Sequence, residues 1–81
     1  MMYNGKNYEL VDKEFHMSGE NSFFGRAIDE DGNETIVTIW PKHDDFDFHK
    51  ECHAVCDAYD GCALYADEID DEKFEIVSTE W

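Results

Sequence analysis

The sequence predicts an α+β fold: a small antiparallel sheet of about four to six strands packed against one α-helix. Three observations point there. Two β-rich runs flank the turn "DEDGNE", one apolar stripe near residues 48–59 repeats at helical spacing, and 81 residues leave room for a single core. With 42% hydrophobic and 15% aromatic residues the chain has enough apolar material to fold. One domain is expected over 1–81.

The first hairpin is predicted near 1–12. Asn4-Gly5 suits the two positive φ values of a type I′ turn, and Tyr8 and Leu10 share one face with Glu9 on the other. Phe15 and Met17 alternate like a short strand before a turn at 18–21. The second hairpin is predicted at 22–40, with Gly32 in its turn. In its second arm Ile36, Thr38 and Trp40 alternate with Val37 and Ile39, so both faces carry apolar residues and the strand reads as central; Pro41 ends it.

The helix is predicted at about 45–60. Phe48, Cys52, Val55, Cys56 and Tyr59 fall at i, i+4, i+7, i+8 and i+11; Asp44 or Asp45 is placed to cap the start, and Gly61 the end. A third hairpin is predicted near 62–79, with an acidic connection from Asp67 to Glu72 and with Phe74 and Ile76 on one face.

"HKECHAVC" sets His49, Cys52, His53 and Cys56 within eight positions. A helix rises about 1.5 Å per residue, so His49 and Cys56 would stand roughly 10 Å apart along the axis, whereas zinc bonds are about 2.0–2.3 Å. One ion cannot take all four. A pair of them would need Cys62 or another group to complete its shell, and the two cysteines of the stripe read better as small buried hydrophobes. No cofactor is expected; zinc at these five positions is the alternative. "DEDGNE" fails as a calcium loop, because Gly32 falls at position 4 and Trp40 at position 12. No phosphate loop, dinucleotide fingerprint or serine elbow occurs, and an enzyme is not expected.

The charge carries the functional argument. Asp and Glu number 21 against 6 Lys and Arg, for a net −15. Residues 1–13 sum to zero, 14–40 to −5 and 41–81 to −10. Such a surface repels nucleic acid and anionic membrane and attracts cationic protein surfaces. No signal peptide or long apolar run is present, so a cytoplasmic setting with reduced thiols is expected. Phosphates on duplex DNA recur at one charge per roughly 1.7 Å, a density that carboxylates on strands, helices and loops can imitate. The acids expected to contact a partner are Asp44, Asp45, Asp47 and Glu51, together with Asp67, Glu68, Asp70, Asp71 and Glu72. Ordinary contacts through aromatics near Phe46 or Trp81 are the alternative to mimicry. A solvated acidic surface and salt adaptation are the bland readings; five lysines among six basic residues and three cysteines do not fit the latter.

In size, charge and the stretches "IDEDGNE", "HDDFDF" and "ADEIDDE", the chain resembles small acidic phage-encoded inhibitors, the DNA-mimic, anti-CRISPR and anti-restriction proteins. That resemblance implies a stoichiometric inhibitor in the bacterial host cytoplasm. Its target would be a basic nucleic-acid-binding protein or a CRISPR effector complex, with no direct nucleic-acid or membrane binding. Homodimerisation is compatible with so small a core. The runner-up is a small metal-stabilised or adaptor interaction domain.

Overall fold

Asn4 and Gly5 take φ of 54° and 81°, as a type I′ turn requires, and join β1 (Met2–Tyr3) to β2 (Lys6–Asn7). The computed structural model describes residues 1–17, 22–46 and 63–80. The remaining strands are β3 (Glu9–Leu10), β4 (Glu14–Met17), β5 (Phe23–Ile28), β6 (Glu34–Pro41), β7 (Ala63–Tyr65) and β8 (Phe74–Glu80). Apart from the β1–β2 pair they form one antiparallel sheet in the order β7-β4-β5-β6-β8, with β3 beside the far end of β5.

The β5–β6 ladder runs without a register shift from Phe23↔Ile39 to Ile28↔Glu34, whereas β6–β8 shifts register between Thr38 and Ile39. Burial in β5 alternates strictly, buried at Phe23, Gly25 and Ala27 and exposed at Phe24, Arg26 and Ile28. This is the period of two expected of a strand with one buried face. Phe15, Phe23, Val37, Ile39 and Phe74 are the largest fully buried side chains. Phe46 closes over them edge-on, with ring centroids 6.2 Å from Phe23 and 5.4 Å from Phe74. The aromatic expected to be exposed near 46 is therefore half-buried against the core; Trp81 lies outside the described residues.

Gly25 owes its identity to Phe15. A Cβ at position 25 would stand 2.7 Å from the Phe15 ring, which lies directly on the glycine backbone. Between β3 and β4 the ladder is interrupted, and a side chain repairs it. Val11 donates its N–H to the Arg26 carbonyl at 3.0 Å, and the Arg26 N–H donates to Asp12 Oδ2 at 2.7 Å.

Three expectations are corrected. The α+β class with a packed helix is replaced by a mostly β architecture: more than half of the described residues are in strands, and none of those residues forms a helix of seven or more residues. Among the described residues, Tyr8, Ile69, Met1, Tyr3, Ala66 and Phe46 pack on the buried face. Of the span 45–60, Asp45 is in a turn, Phe46 packs on the core, and 47–60 lie outside the described residues.

The 62–79 segment is not a hairpin. β7 and β8 occupy opposite edges of the sheet with β4, β5 and β6 between them. Four steps of about 4.8 Å make roughly 19 Å, within reach of the eight residues 66–73. That crossover includes a 3₁₀ turn, Ala66–Glu68, and buries Ile69 in the core. The 1–12 hairpin is likewise shorter than expected. It ends at Asn7, Tyr8 turns into the core, and Glu9–Leu10 leaves to pair with Ile28 and Ala27.

Candidate acidic interface

The acids expected to meet a partner fall into two groups on the fold. Asp44 and Asp45 are exposed in the turn that follows β6. Asp70, Asp71 and Glu72 are exposed in the turn that precedes β8. Hydrogen bonds lace these turns together. Lys42 donates its N–H to the Lys73 carbonyl at 2.8 Å, and the Lys42 ammonium donates to the Asp71 carbonyl. Five predicted residues thus share one end of the sheet, where Pro41 pairs with Phe74. Asp67 and Glu68 stand apart at the β7 edge, where Ala66 donates its N–H to the Lys13 carbonyl at 2.9 Å. Asp47 and Glu51 lie outside the described residues.

These acids are not equivalent. Asp70 is structural as well as acidic: its Oδ1 accepts the N–H groups of Glu72 and Lys73, both at 3.0 Å, and so fixes the turn into β8. Asp71 reaches the N-terminal ammonium at 3.9 Å. Asp44, Asp45, Asp67 and Glu72 form no ion pair among the described residues.

A third acidic stretch, in the β5–β6 turn, is consumed internally. Asp29 Oδ1 accepts from Asp31 N–H and Asn33 N–H at 2.9 Å each, with Gly32 at φ 84°. The Lys6 ammonium sits 3.7 Å from Asp29 and 3.6 Å from Asp31, and Asn7 donates its N–H to Glu30 Oε1 at 2.7 Å. The bond from Asn33 is the main cause that holds the Asp29 carboxyl below its ordinary range; Asp29 and then Asp31 raise the Lys6 ammonium. Arg26 is held in the same way, by Asp12 at 2.6 Å and Glu34 at 3.1 Å. Desolvation alone would raise the Asp12 carboxyl, but the Arg26 N–H, guanidinium hydrogen bond and charge outweigh it and lower it. The cations Lys6 and Arg26 are therefore spent on acids away from the sheet end, where Asp44, Asp45 and Glu72 are exposed and form no ion pair among the described residues.

No residue type in the sequence announced the second feature of the surface. On the face of the sheet opposite the core, Phe24, Ile28, Ile36 and Trp40 stand exposed, by 39% at Phe24 and 48% at Trp40. The two apolar sets of "TIVTIW" read as a central strand, and β6 does lie between β5 and β8, but its second apolar set, Ile36 and Trp40, is exposed.

Among the described residues no group of three or more His, Cys, Asp and Glu is placed to hold a metal. The zinc alternative at His49, Cys52, His53, Cys56 and Cys62 lies outside those residues. A shallow cleft between the N-terminal hairpin and the crossover is lined by Tyr8, Glu9, Leu10, Ile69, Asp70 and Glu72, among others. No described helix is long and apolar enough to cross a membrane. No family model, no curated protein and no solved structure matches the chain.

Proposed function

We propose that this protein is a stoichiometric inhibitor that binds a basic, nucleic-acid-binding surface of a host protein in the bacterial cytoplasm, as anti-CRISPR or anti-restriction proteins do. The observation that carries the reading is the division of labour among its charges. Lys6 and Arg26 are clasped by acids elsewhere, whereas Asp44, Asp45 and Glu72, without an ion pair among the described residues, and Asp71, 3.9 Å from the N-terminal ammonium, stand exposed on two turns bonded to each other at one end of the sheet. A carboxylate cluster of that kind, on a chain of net −15, draws in Lys- and Arg-lined grooves and repels the nucleic acid that competes for them. No turnover is invoked; occupation of the groove suffices.

The test is capture of partners on the tagged protein from a nuclease-treated bacterial lysate, at low and high salt. A nucleic-acid-binding protein should be retained at low salt and released by high salt or by added DNA. The variant D44K/D45K/D71K/E72K, which spares the turn-forming Asp70, should melt within a few degrees of wild type and lose that capture. Capture unaffected by this charge reversal, or the absence of any nucleic-acid-binding protein, would sink the proposal.

A further inference from the structure

The outer face of the sheet has a composition that the acidic turns do not explain. Its exposed apolar residues are Phe24 on β5, which lies between Thr38 and His16 with the His16 ring 6.2 Å away and tilted, and Ile36 and Trp40 on β6. Phe24 faces Thr38 across the ladder, so Ile36 and Trp40 are its two diagonal neighbours, about 7–8 Å away at Cα. The flanks are acidic in register. Trp40 stands directly opposite Glu75 on β8, and at the other edge Glu14 on β4 stands directly opposite Tyr65 on β7. Each exposed aromatic at the flanks is thus paired with a carboxylate on the neighbouring strand.

An aromatic face beside a carboxylate takes a guanidinium better than any other protein group. The ring accepts the planar cation by stacking, and the carboxylate accepts its N–H groups. The molecule already holds one such group on this face. Arg26, the cross-strand neighbour of Ile36, lies between Asp12 and Glu34. A second copy of the chain is a poor occupant, because two surfaces of a protein carrying −15 repel. Anionic membrane and nucleic acid are repelled for the same reason. An apolar patch with a polar rim is the anatomy of a protein–protein interface, and here the rim carries Glu14, Glu34 and Glu75 against Arg26, which Asp12 and Glu34 already hold.

We infer that this face docks an arginine-bearing polypeptide surface, with Trp40 and Phe24 as the stacking platform and Glu75 and Glu14 as the carboxylate partners. The inference rests on the proposed binding of a basic partner and names the side chain which that partner presents.

Deca-arginine and deca-lysine peptides carry equal charge and separate the two ideas. Titrated into the full chain at one ionic strength, with calorimetry as the readout, the arginine peptide should bind about three- to fivefold tighter, the difference expected of exposed guanidinium stacking. W40A should bring the arginine peptide down towards the lysine value while the lysine affinity stays, and E75Q should weaken the arginine peptide more than the lysine peptide. Equal affinity of the two peptides for wild type, or a preference that survives W40A, would overturn the docking face and leave the acidic interface standing. Failure of both peptides to bind would overturn both. A doubling of mass in sedimentation that W40A abolishes would give the face to a second copy and overturn the inference as well.

Discussion

The two faces of the sheet are built from the same residue types and have opposite fates. On one, Phe15, Phe23, Val37 and Ile39 have no accessible surface; on the other, Phe24, Ile36 and Trp40 keep about two-fifths or more of theirs. Phe23 and Phe24 are neighbours in the chain, as are Val37 and Ile36. What separates them is the third dimension: the N-terminal hairpin, Phe46 and the Ala66–Lys73 crossover lie over one side. An apolar strand face becomes core only when another segment crosses it. Among the described residues no segment crosses the other face, and Phe24, Ile36 and Trp40 stay exposed there.

The sharpest way to break this comparison is to delete the same side chain on either side. Phe23→Ala removes a ring packed edge-on against Phe46 and Phe74, and should cost about 3–5 kcal/mol. In a chain of 81 residues that approaches the whole stability, so the variant should be largely unfolded in a urea titration. Phe24→Ala should cost less than about 1 kcal/mol and leave the circular dichroism unchanged. Similar losses from both would mean that the outer face is covered after all.

A smaller effect is expected at the glycine that follows them. Gly25→Ala sets a methyl group 2.7 Å from the Phe15 ring, which is walled in on the core side. Overpacking of that kind costs about 1–3 kcal/mol. Phe15→Leu in the same chain should return part of it, so that the double variant is more stable than the sum of its parts; strict additivity would show that the contact is not the cause.

These residues also mark how far the sequence could be read. The Asn4-Gly5 turn was legible because its chemistry is local: both residues tolerate positive φ. So was the 22–40 hairpin, whose arms pair with each other across a short turn. The third pair of strands was misread because a strand's pattern reports its buried face and says nothing of its neighbour. "ALY" and "FEIVSTE" look the same whether they pair together or border opposite edges. The acids divide likewise. That Asp44, Asp45, Asp71 and Glu72 are exposed follows from their type. That Asp29 and Asp31 are clasped by Lys6, some two dozen residues earlier, is a fact of tertiary structure. That Asp70 shapes its own turn follows from an Asx geometry which the acidic run concealed.

The smallest effect is expected where the Asp12 carboxylate repairs the sheet between β3 and β4. The Asp12 carboxyl is held below its ordinary value of 3.8 when folded. A carboxylate depressed in this way contributes stability that is fully present above its unfolded value and is lost as pH falls through the folded one. Asp12→Asn keeps an oxygen for the Arg26 N–H but removes the charge opposite the guanidinium. The pair is partly exposed, so at pH 7 the variant should be less stable by only about 0.5 kcal/mol. That gap should persist down to about pH 4 and close below it, because the protonated Asp12 carboxyl and the variant's amide then offer Arg26 the same neutral acceptor. A gap that stayed constant from about pH 7 to pH 2 would assign the loss to altered packing of the amide. A gap that closes with acid ties the join between β3 and β4 to a charge that tertiary structure has committed, unlike the exposed carboxylates of Asp44 and Glu72, which form no ion pair among the described residues.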